Sequence, residues 1–396
     1  MGRRRFGSIR KLPSGRYQAR YPLADGGLHP APQTFATKTD ADRFLAQVET
    51  DMGRGQWSDP RLGSVMVADW SRHYLDTCVH LAPATVQSYE SLRRSVIVPA
   101  FGSRALSSVA RGEVRAWVAE LTARGLSASR VRQAYVLLSA MMTAAVEDGV
   151  IMKSPCMGVK LPRLPRRELT YLTPPQVAQL VTEMPEPYRL LVDVLAYGGL
   201  RFGEAVALRR HRCDLLNGRL IVAESASEVE GRLIFGDTKS HRQRSVTLPR
   251  TVVSALRAHL AEHVPADRNS LVFTAPAGGP LRYGNFLHRA WRPAVKRLGQ
   301  EGITPHVLRH TSATLLIAAG ASVKDVQAHL GHADGAVTLN IYSAVLDGRA
   351  DDLAAKLDVL HEQGQRAAIK DASGTQVARE GDEGDDDPPA VLAKTG

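Results

Sequence analysis

The sequence predicts a multidomain, mainly α-helical protein with small β elements, and three observations support this fold class. The 396 residues are enough for two to four domains at roughly 100–200 residues each. Apolar residues first alternate as in β-strands and then follow the period of helices. Segments 53–63 and 153–169 have the glycine- and proline-rich composition of linkers. We expect an N-terminal domain at 1–55, a helical domain at 64–152, a linker at 153–169, a mixed α+β domain at 170–362 and a disordered acidic tail at 363–396.

Composition indicates a cytoplasmic protein. No apolar run approaches the ~18 residues of a membrane span, and the N-terminal sequence lacks the apolar core of a signal peptide. The cysteines Cys78, Cys156 and Cys213 are odd in number and far apart. This spacing argues against a disulfide framework and a CxxC zinc site, and it fits a reducing compartment. We therefore expect no membrane association.

The charge of the chain is strongly positive and unevenly distributed. The formal net charge is +11, whereas residues 361–396 hold 8 acidic and 4 basic residues. Arginine supplies 41 of the 51 basic residues, and its guanidinium suits bidentate recognition of phosphate. Codon bias would also enrich arginine, so the arginine content alone leaves two interpretations. A polyanionic partner, most commonly a nucleic acid, is the leading expectation.

The N-terminal module is predicted as a three-stranded sheet with one helix. A Pro-Ser-Gly turn joins the first two strands, a third is expected around Gln33–Ala36, and Thr37 caps the helix. In the second strand, Arg16, Gln18 and Arg20 share the face opposite the apolar residues. Because a β-sheet fits a DNA major groove, these side chains are candidate DNA contacts, with a solvated outer face as the alternative.

Four amphipathic helices are expected between residues 64 and 152, which makes this region a compact all-α domain. The third covers Val114–Leu121, and the fourth runs from Ser129 to a stop at Gly149. Arg130 and Arg132 in the fourth helix are candidate phosphate contacts, with ordinary surface positions as the alternative. The basic linker that follows is stiffened by prolines, and its charges suit a nucleic-acid backbone.

The third region is predicted as mixed α+β. Thr173 opens it with a capping box, and helices continue to about Arg210. Helices resume at Tyr283 and reach about Leu360, after which the sequence turns polar and acidic. Between these helical parts, short strands are expected at Leu220–Val222, Leu233–Phe235 and Ser245–Leu248.

Four segments of this region carry groups suited to phosphate chemistry. A helix would place the histidine and the arginine of a His-x-x-Arg pattern on one face, because they are three residues apart. Guanidiniums clamp the nonbridging oxygens of a phosphodiester under attack through paired N–H donors. The segments are Tyr197–Glu204 with Arg201, Asp237–Ser240 with Lys239 and then Arg242 and Arg244, Thr304–His310 with His306 and Arg309, and Leu330–His332 followed by Tyr342.

Each of these residues alone has an ordinary interpretation. A single tyrosine on a helix is usually a packing residue, and Arg201 beside Glu204 would form a simple ion pair. The histidines of the region lack the carboxylate context of zinc motifs, so no metal is expected. The ordered combination, and not any single residue, indicates the chemistry.

Together and in order, the four segments resemble the tyrosine recombinase, or phage integrase, family of site-specific DNA recombinases. The family pattern is a Gly-x-Arg-x-x-Glu-like box, a lysine on a β-hairpin, His-x-x-Arg, Leu-Gly-His and a tyrosine nine to ten residues later. The motif resemblance covers 170–360, while 64–152 resembles the family's core-binding domain and the N-terminal sheet its arm-binding domain. Two small departures, Gly199 before Leu200 and Pro305 before His306, remove no functional group.

The resemblance implies a reaction and a role for each site residue. Tyr342 would attack the scissile phosphate to leave a 3′-phosphotyrosyl bond and a free 5′-hydroxyl, and Lys239 would protonate the departing oxygen. Because the covalent bond stores the phosphodiester energy, no cofactor is expected. The expected activity is integration or excision of a phage or mobile element. The implied catalytic set is Arg201, Lys239, His306, Arg309, His332 and Tyr342, and the candidate nucleic-acid contacts are Arg16, Gln18, Arg20, Arg130, Arg132, Arg242 and Arg244.

The resemblance also implies partners. They are double-stranded DNA attachment sites, a homotetramer on DNA, a host DNA-bending protein and an excision directionality factor, with nucleoid association in a bacterial host. A helix at Arg349–Leu360 would dock on a neighbouring protomer or pack on its own domain. The alternative functions are a catalytically inactive DNA-binding factor and a type IB topoisomerase-like DNA relaxase. The complete set of six groups argues against the first, and the two-domain N-terminal layout argues against the second.

Overall fold

The protein is mainly α-helical, and the described part of the chain contains three small sheets. The computed structural model describes residues 6–23, 26–54, 57, 61–165, 169–238, 243–331, 339 and 357–366. These residues group into two compact units, one within Met1–Arg167 and Val229–Arg232, the other within Glu168–Glu228 and Leu233–Gly396. Within the described ranges, no helix has both the length and the apolarity needed to cross a membrane.

The first unit opens with the predicted three-stranded sheet and helix, namely β1 (Ser8–Lys11), β2 (Tyr17–Pro22), β3 (Leu28–Pro30) and α1 (Lys38–Gly53). The strand β2 is central and runs antiparallel to both neighbours. Thr37 caps α1 as predicted, because its hydroxyl accepts a hydrogen bond from the Asp40 N–H at 3.1 Å. Ala19 and Tyr21 of β2 are buried in one core with Leu45 of α1, so the opposite face of β2 is left outside this core.

The third strand lies earlier than predicted. It occupies Leu28–Pro30, whereas Gln33–Ala36 contributes an isolated bridge between Phe35 and Tyr17. Phe35 is buried, and its ring lies 5.2 Å from that of Phe44. The apparent strand pattern at 33–36 therefore reflects one aromatic residue that enters the core, while the actual edge strand is short and exposed.

The four predicted helices of the next region are confirmed, with one of them in two parts. They are α2 (Val67–Thr77), α3 (Pro83–Leu92) continued through a π-helical turn into α4 (Val98–Phe101), α5 (Arg111–Ala123) and α6 (Ala128–Glu147). The indole N–H of Trp70 donates to the Met141 carbonyl at 2.8 Å, which fastens α2 to α6. Gly149 follows α6 with a φ of 69°, the left-handed conformation typical of a helix stop.

The second unit holds the helices and sheets that position the candidate site. Its helices are α7 (Pro174–Glu183), α8 (Glu186–Gly198), α9 (Phe202–Val206), α10 (Arg250–Glu262), α11 (Tyr283–Phe286), α12 (Arg292–Arg297), α13 (Val307–Ala318) and α14 (Val323–Leu330). Its strands are β4 (Cys213–Asp214), β5 (Arg219–Val222), β6 (Glu224–Val229), β7 (Arg232–Asp237) and β8 (Arg244–Thr247), except that Val229 of β6 and Arg232 of β7 group with the first unit. The sheet orders are β4-β5-β8 and β6-β7. Residues of α8 that include Leu191, Val194 and Leu195 lie in the centre of the core.

The sequence interpretation missed α10. Its residues Val252, Leu256 and Leu260 are buried at helical spacing, but the run Thr251–Val253 that opens it favours a strand by composition. The strands β4 and β6 were also not predicted. The capping box at Thr173 and the return of helices at Tyr283 are confirmed.

The predicted start of the disordered tail at residue 363 is too early. Residues 357–366 are helical, and Arg366 pairs with Glu362 one helical turn earlier at 3.6 Å. Pairs of this kind favour a helix. Residues 367–396 of the predicted tail lie outside the described residues.

Candidate active site

A glycine ends α8 where this helix approaches α13 and α14. Gly199 adopts φ 62° and ψ 22°, a left-handed conformation that glycine tolerates best. A Cβ at this position would lie 2.3 Å from Leu330 Cδ2 and 2.8 Å from Ser312 Oγ. The glycine therefore allows both the left-handed turn and the close packing of the end of α8 against α13 and the end of α14.

Arg201 stands at the N-cap of α9, two residues after this turn. Its backbone N–H donates to Glu204 Oε2 at 2.9 Å, and its guanidinium donates to Glu204 Oε1 at 2.8 Å. The ion pair that the sequence allowed is thus present. Because 28% of the Arg201 side chain remains exposed, the pairing leaves part of this residue open to solvent.

The carboxylate of Glu204 has a second cationic partner, Arg244 at the start of β8. Two guanidinium nitrogens of Arg244 donate to Oε2 and Oε1 of Glu204, at 2.6 and 3.1 Å. Burial raises the pKa of Glu204, but the hydrogen bonds and charge of Arg244, with the bonds from Arg201, outweigh it and bring the pKa below its usual value. Glu204 is therefore ionised at neutral pH.

Arg309 is buried in the first turn of α13, where it joins two helix ends. Its guanidinium donates to the Gly199 carbonyl at 2.6 Å and to the Leu330 carbonyl at 2.7 Å. These carbonyls lie at the C-terminal ends of α8 and α14, where backbone oxygens lack intrahelical partners. Burial, followed by the nearby charge of Arg201, lowers the pKa of Arg309 to about 9. The group therefore stays charged at neutral pH.

His306 stands at the N-cap of α13, with its ring centroid 4.9 Å from that of His310. Partial burial, followed by the charges of His310, Arg309 and Arg201, lowers the pKa of His306 to about 4. Burial also lowers the pKa of His310. At neutral pH His306 is a neutral imidazole, which suits it to hydrogen bonding and not to supplying positive charge.

The arrangement concentrates positive charge at one place. The guanidiniums of Arg201, Arg244 and Arg309 influence one another electrostatically, with the carboxylate of Glu204 among them. The described part of the cluster therefore carries two more positive charges than negative ones. Such a group of preorganised N–H donors suits a phosphate that gains charge during a reaction.

The structure brings three of the six predicted catalytic residues together, namely Arg201, His306 and Arg309. Lys239, His332 and Tyr342 lie outside the described residues. The chain that precedes two of them is described. β7 ends at Asp237, and α14 ends at Leu330, followed by Gly331 with a φ of 68° as the C-cap before His332. A Cβ on Gly331 would lie 2.9 Å from the Arg244 side chain, so this glycine makes room for the arginine.

The three candidate DNA contacts of the N-terminal sheet also make hydrogen bonds within it. Arg16 donates to the hydroxyl and the carbonyl of Thr34 at 2.7 and 2.6 Å. Arg20 donates to the Leu28 carbonyl at 3.0 Å. Gln18 accepts from Arg10 at 2.8 Å. These bonds order the polar face of β2.

The other candidate DNA contacts differ in their surroundings. Arg130 lies in the first turn of α6, half-buried. Arg132 donates to the Pro162 carbonyl at 2.8 Å and thereby holds the linker against its own unit. Arg242 lies outside the described residues. The guanidinium of Arg244 is buried against Glu204, a placement that favours a positioning role over the predicted contact with DNA.

Sequence reasoning did not identify the bond between Glu204 and Arg244. The two residues are 40 positions apart, on a helix and a strand. The motif box contains Glu204, which is the local signal for a role in the site. Among the described residues, no three His, Cys, Asp or Glu side chains are grouped so that they could hold a metal ion.

Comparison with known proteins identifies the family. Residues 170–349 match the family model described as "Phage integrase family", and residues 5–54 match "Phage integrase, N-terminal domain". The chain is 30% identical over 373 residues to the integrase of Mycobacterium phage L5, covering 91% of this chain and 99% of the relative. The chain belongs to the phage integrase family. The integrase is therefore a site-specific tyrosine recombinase, an enzyme that breaks and rejoins DNA.

Further similarities agree with this assignment. The integrase is 29% identical over 290 residues to a protein named tyrosine recombinase XerC from Ralstonia pickettii, covering 67% of this chain and 85% of the relative. Its fold is similar to that of the Tn1549 transposon integrase in complex with circular intermediate DNA, with a TM-score of 0.61, 22% identity and coverage of 70% and 95%. It is also similar to a lambda integrase tetramer bound to a Holliday junction, with a TM-score of 0.55, 16% identity and coverage of 85% and 97%.

Gly199→Ala should destabilise the integrase more than the same substitution at another glycine with a left-handed conformation. The left-handed conformation costs a non-glycine residue about 1–2 kcal/mol. The clash with Leu330 adds about 1–3 kcal/mol, typical of an overpacked core. Urea denaturation measures the free energy of unfolding.

Gly320→Ala is the control, because Gly320 has a φ of 88° and a Cβ added to it would meet nothing within 4 Å. It carries the conformational cost without the clash. Equal losses of stability for the two variants would contradict the close approach at Gly199.

Proposed function

We propose that the net-positive cluster around Glu204 binds the scissile phosphate of a DNA attachment site. The observation that carries this proposal is the proximity of the Arg201 and Arg309 guanidiniums, with Glu204 as the one carboxylate in the described part of the cluster. Arg201 and Arg309 then donate to the nonbridging oxygens as these gain charge in the transition state. His306 and His332 act as supporting acid–base and hydrogen-bonding groups.

Tyr342 is the proposed nucleophile. Its phenolic O–H gives its proton to one of the supporting acid–base histidines, the phenolic oxygen bonds to the phosphorus, the bond to the 5′ oxygen breaks, and Lys239 gives that oxygen a proton. The product is a 3′-phosphotyrosyl bond and a free 5′-hydroxyl. Because attack of a 5′-hydroxyl on this bond reverses the chemistry at equal bond energy, the reaction needs no nucleotide cofactor.

The remaining domains are proposed to hold DNA. Residues 1–55 form an arm-binding domain that uses Arg16, Gln18 and Arg20, and residues 64–152 form a core-binding domain that uses Arg130. The basic linker 153–169 lies along the DNA backbone, and residues 170–362 form the catalytic domain. The bond from Arg132 to the Pro162 carbonyl supports an ordered linker, because it fixes the linker to the domain that precedes it.

The integrase is proposed to act as a homotetramer on double-stranded DNA, inserting or excising a phage or mobile element. Similarity to mycobacteriophage integrases and to a lambda integrase tetramer on a Holliday junction supports this proposal. Leu357 and Leu360 on the C-terminal helix are exposed, which suits docking on a neighbouring protomer. A host DNA-bending protein and an excision directionality factor are proposed as further partners.

Tyr342→Phe should abolish covalent attachment to DNA while DNA binding survives. The substitution removes one oxygen and keeps the ring, so the nucleophile alone is lost. The experiment traps the adduct on a nicked suicide substrate that carries the neighbouring genomic attachment site. An adduct formed by Tyr342→Phe would refute the assignment, and the absence of an adduct with the unmodified integrase would favour an inactive DNA-binding factor.

Lys239→Ala should slow cleavage of ordinary DNA by about 10²–10⁴-fold, the usual effect of losing a general acid. A substrate with sulfur at the 5′ bridging position should need Lys239 much less, because a thiolate leaves without a proton. Cleavage rates on both substrates measure this difference. The role of Lys239 as acid is wrong if the variant is equally slow on both.

Deleting residues 1–60 should leave binding and cleavage at the core site nearly intact and remove protection of a second, arm-type site. The reason is that the N-terminal sheet folds around its own core of Ala19, Tyr21 and Leu45. Footprinting of the full-length integrase and the deletion on the attachment region compares the two. Protection of the arm site should weaken steeply with salt as counterions are released. Identical footprints would leave the sheet as a solvated module.

A further inference from the structure

Among the candidate DNA contacts that the structure describes, Arg244 differs because its guanidinium is turned into the protein. Its side chain is 8% exposed. All three of its nitrogens donate, two to Glu204 at 2.6 and 3.1 Å and Nε to the His329 carbonyl at 3.0 Å. Arg309 is also buried, but among the described residues it donates through Nη1 and Nη2 alone, whereas every guanidinium nitrogen of Arg244 already has an acceptor within the protein.

The partners of Arg244 lead to separate parts of the proposed active site. Glu204 also holds Arg201, so the carboxylate is shared between a phosphate-binding guanidinium and Arg244. The His329 carbonyl belongs to the last turn of α14, where the next carbonyl, that of Leu330, accepts from Arg309. Two arginines therefore fix the helix end that precedes His332.

The position of Arg244 in the chain adds a third connection. Arg244 is the first residue of β8, and five positions separate it from Lys239. Its aliphatic portion lies against Gly331, where a Cβ would come within 2.9 Å of Arg244 Cδ. The Arg244 side chain therefore extends from the start of β8, the strand after Lys239, to Gly331, the residue before His332.

We infer that Arg244 is a positioning residue, which holds Arg201 through Glu204 and the end of α14 through the His329 carbonyl, and not a contact to DNA. This inference rests on the proposed function of the site. A misplacement of about 1 Å in a reacting geometry lowers rates by about 10²-fold. Lysine offers a point charge in place of the planar fork, so it cannot make all three bonds at once.

The test compares Arg244→Met and Arg244→Lys with Arg219→Met. Arg219 is exposed on the neighbouring strand β5 and controls for the loss of one positive charge. For each full-length variant, DNA affinity is measured at several salt concentrations, and adduct formation is measured in a single turnover at saturating DNA. Thermal melting confirms that each variant is folded at the assay temperature.

We expect Arg244→Met to bind DNA within about twofold of the unmodified integrase with an unchanged salt slope, and to form the adduct about 10²-fold more slowly. The rate of adduct formation by Arg244→Lys should fall between those of Arg244→Met and the unmodified integrase. Arg219→Met should cleave at the normal rate. If Arg244→Met is unfolded, the binding and cleavage of Arg244→Lys decide the matter in the same way.

Two results would overturn the inference. One is weaker binding with a salt slope reduced by about one and normal cleavage at saturation, which is the signature of a lost phosphate contact. The other is unchanged binding and unchanged cleavage. Failure of the proposed function is distinct, because then the unmodified integrase forms no adduct at all.

A double-variant cycle tests whether Arg244 acts through Glu204. Because Glu204→Gln removes the charge that Arg244 holds, the combined variant should cleave within about threefold of the slower single variant. If the double variant instead slows by the product of the two single-variant losses, the residues act independently. That outcome would also contradict the inference.

Discussion

The buried ion pairs of Glu204 with Arg201 and Arg244 hold the proposed active site together. The Glu204 side chain is fully buried and bonds to the guanidiniums of Arg201 and Arg244. Removing an ion from water costs several kcal/mol, which is offset only by close partners in good geometry. Loss of either arginine would leave part of a buried charge unpaired, so the stability of the cluster requires all three groups. Through them the start of α9, the start of β8 and the end of α14 are held at one place.

The same arrangement leaves the site electrostatically incomplete. Arg201 and Arg244 bond to the Glu204 carboxylate, Arg309 lies close enough to feel their charges, and burial with the charge of Arg201 lowers the pKa of Arg309 to about 9. In the proposed function, the phosphodiester supplies one negative charge and its transition state a second, and together they balance the two excess positive charges of the cluster. Arg309 donates to the C-terminal carbonyls of α8 and α14, and these bonds hold its guanidinium in a fixed position.

Local sequence patterns were sufficient where one element carries its own signal, as in the Thr37 cap, the stop at Gly149 and the order of the motif segments. They failed at α10, whose opening Thr-Val-Val run resembles a strand, and at β3, an exposed edge too short to show alternation. The contacts that build the site join residues 40, 85 and 110 positions apart, so no sequence window contains them. An arginine after a basic turn looks the same whether it faces DNA or a buried carboxylate, which is why Arg244 was predicted as a DNA contact.

A structure of the integrase on uncleaved DNA from its own attachment site would show where the scissile phosphate binds. We expect one phosphate whose nonbridging oxygens lie about 3 Å from guanidinium nitrogens of both Arg201 and Arg309. Glu204 should keep its bonds to Arg201 and Arg244 in that complex. A scissile phosphate bound away from Arg201 and Arg309, or an Arg201 released from Glu204 on DNA binding, would contradict this expectation.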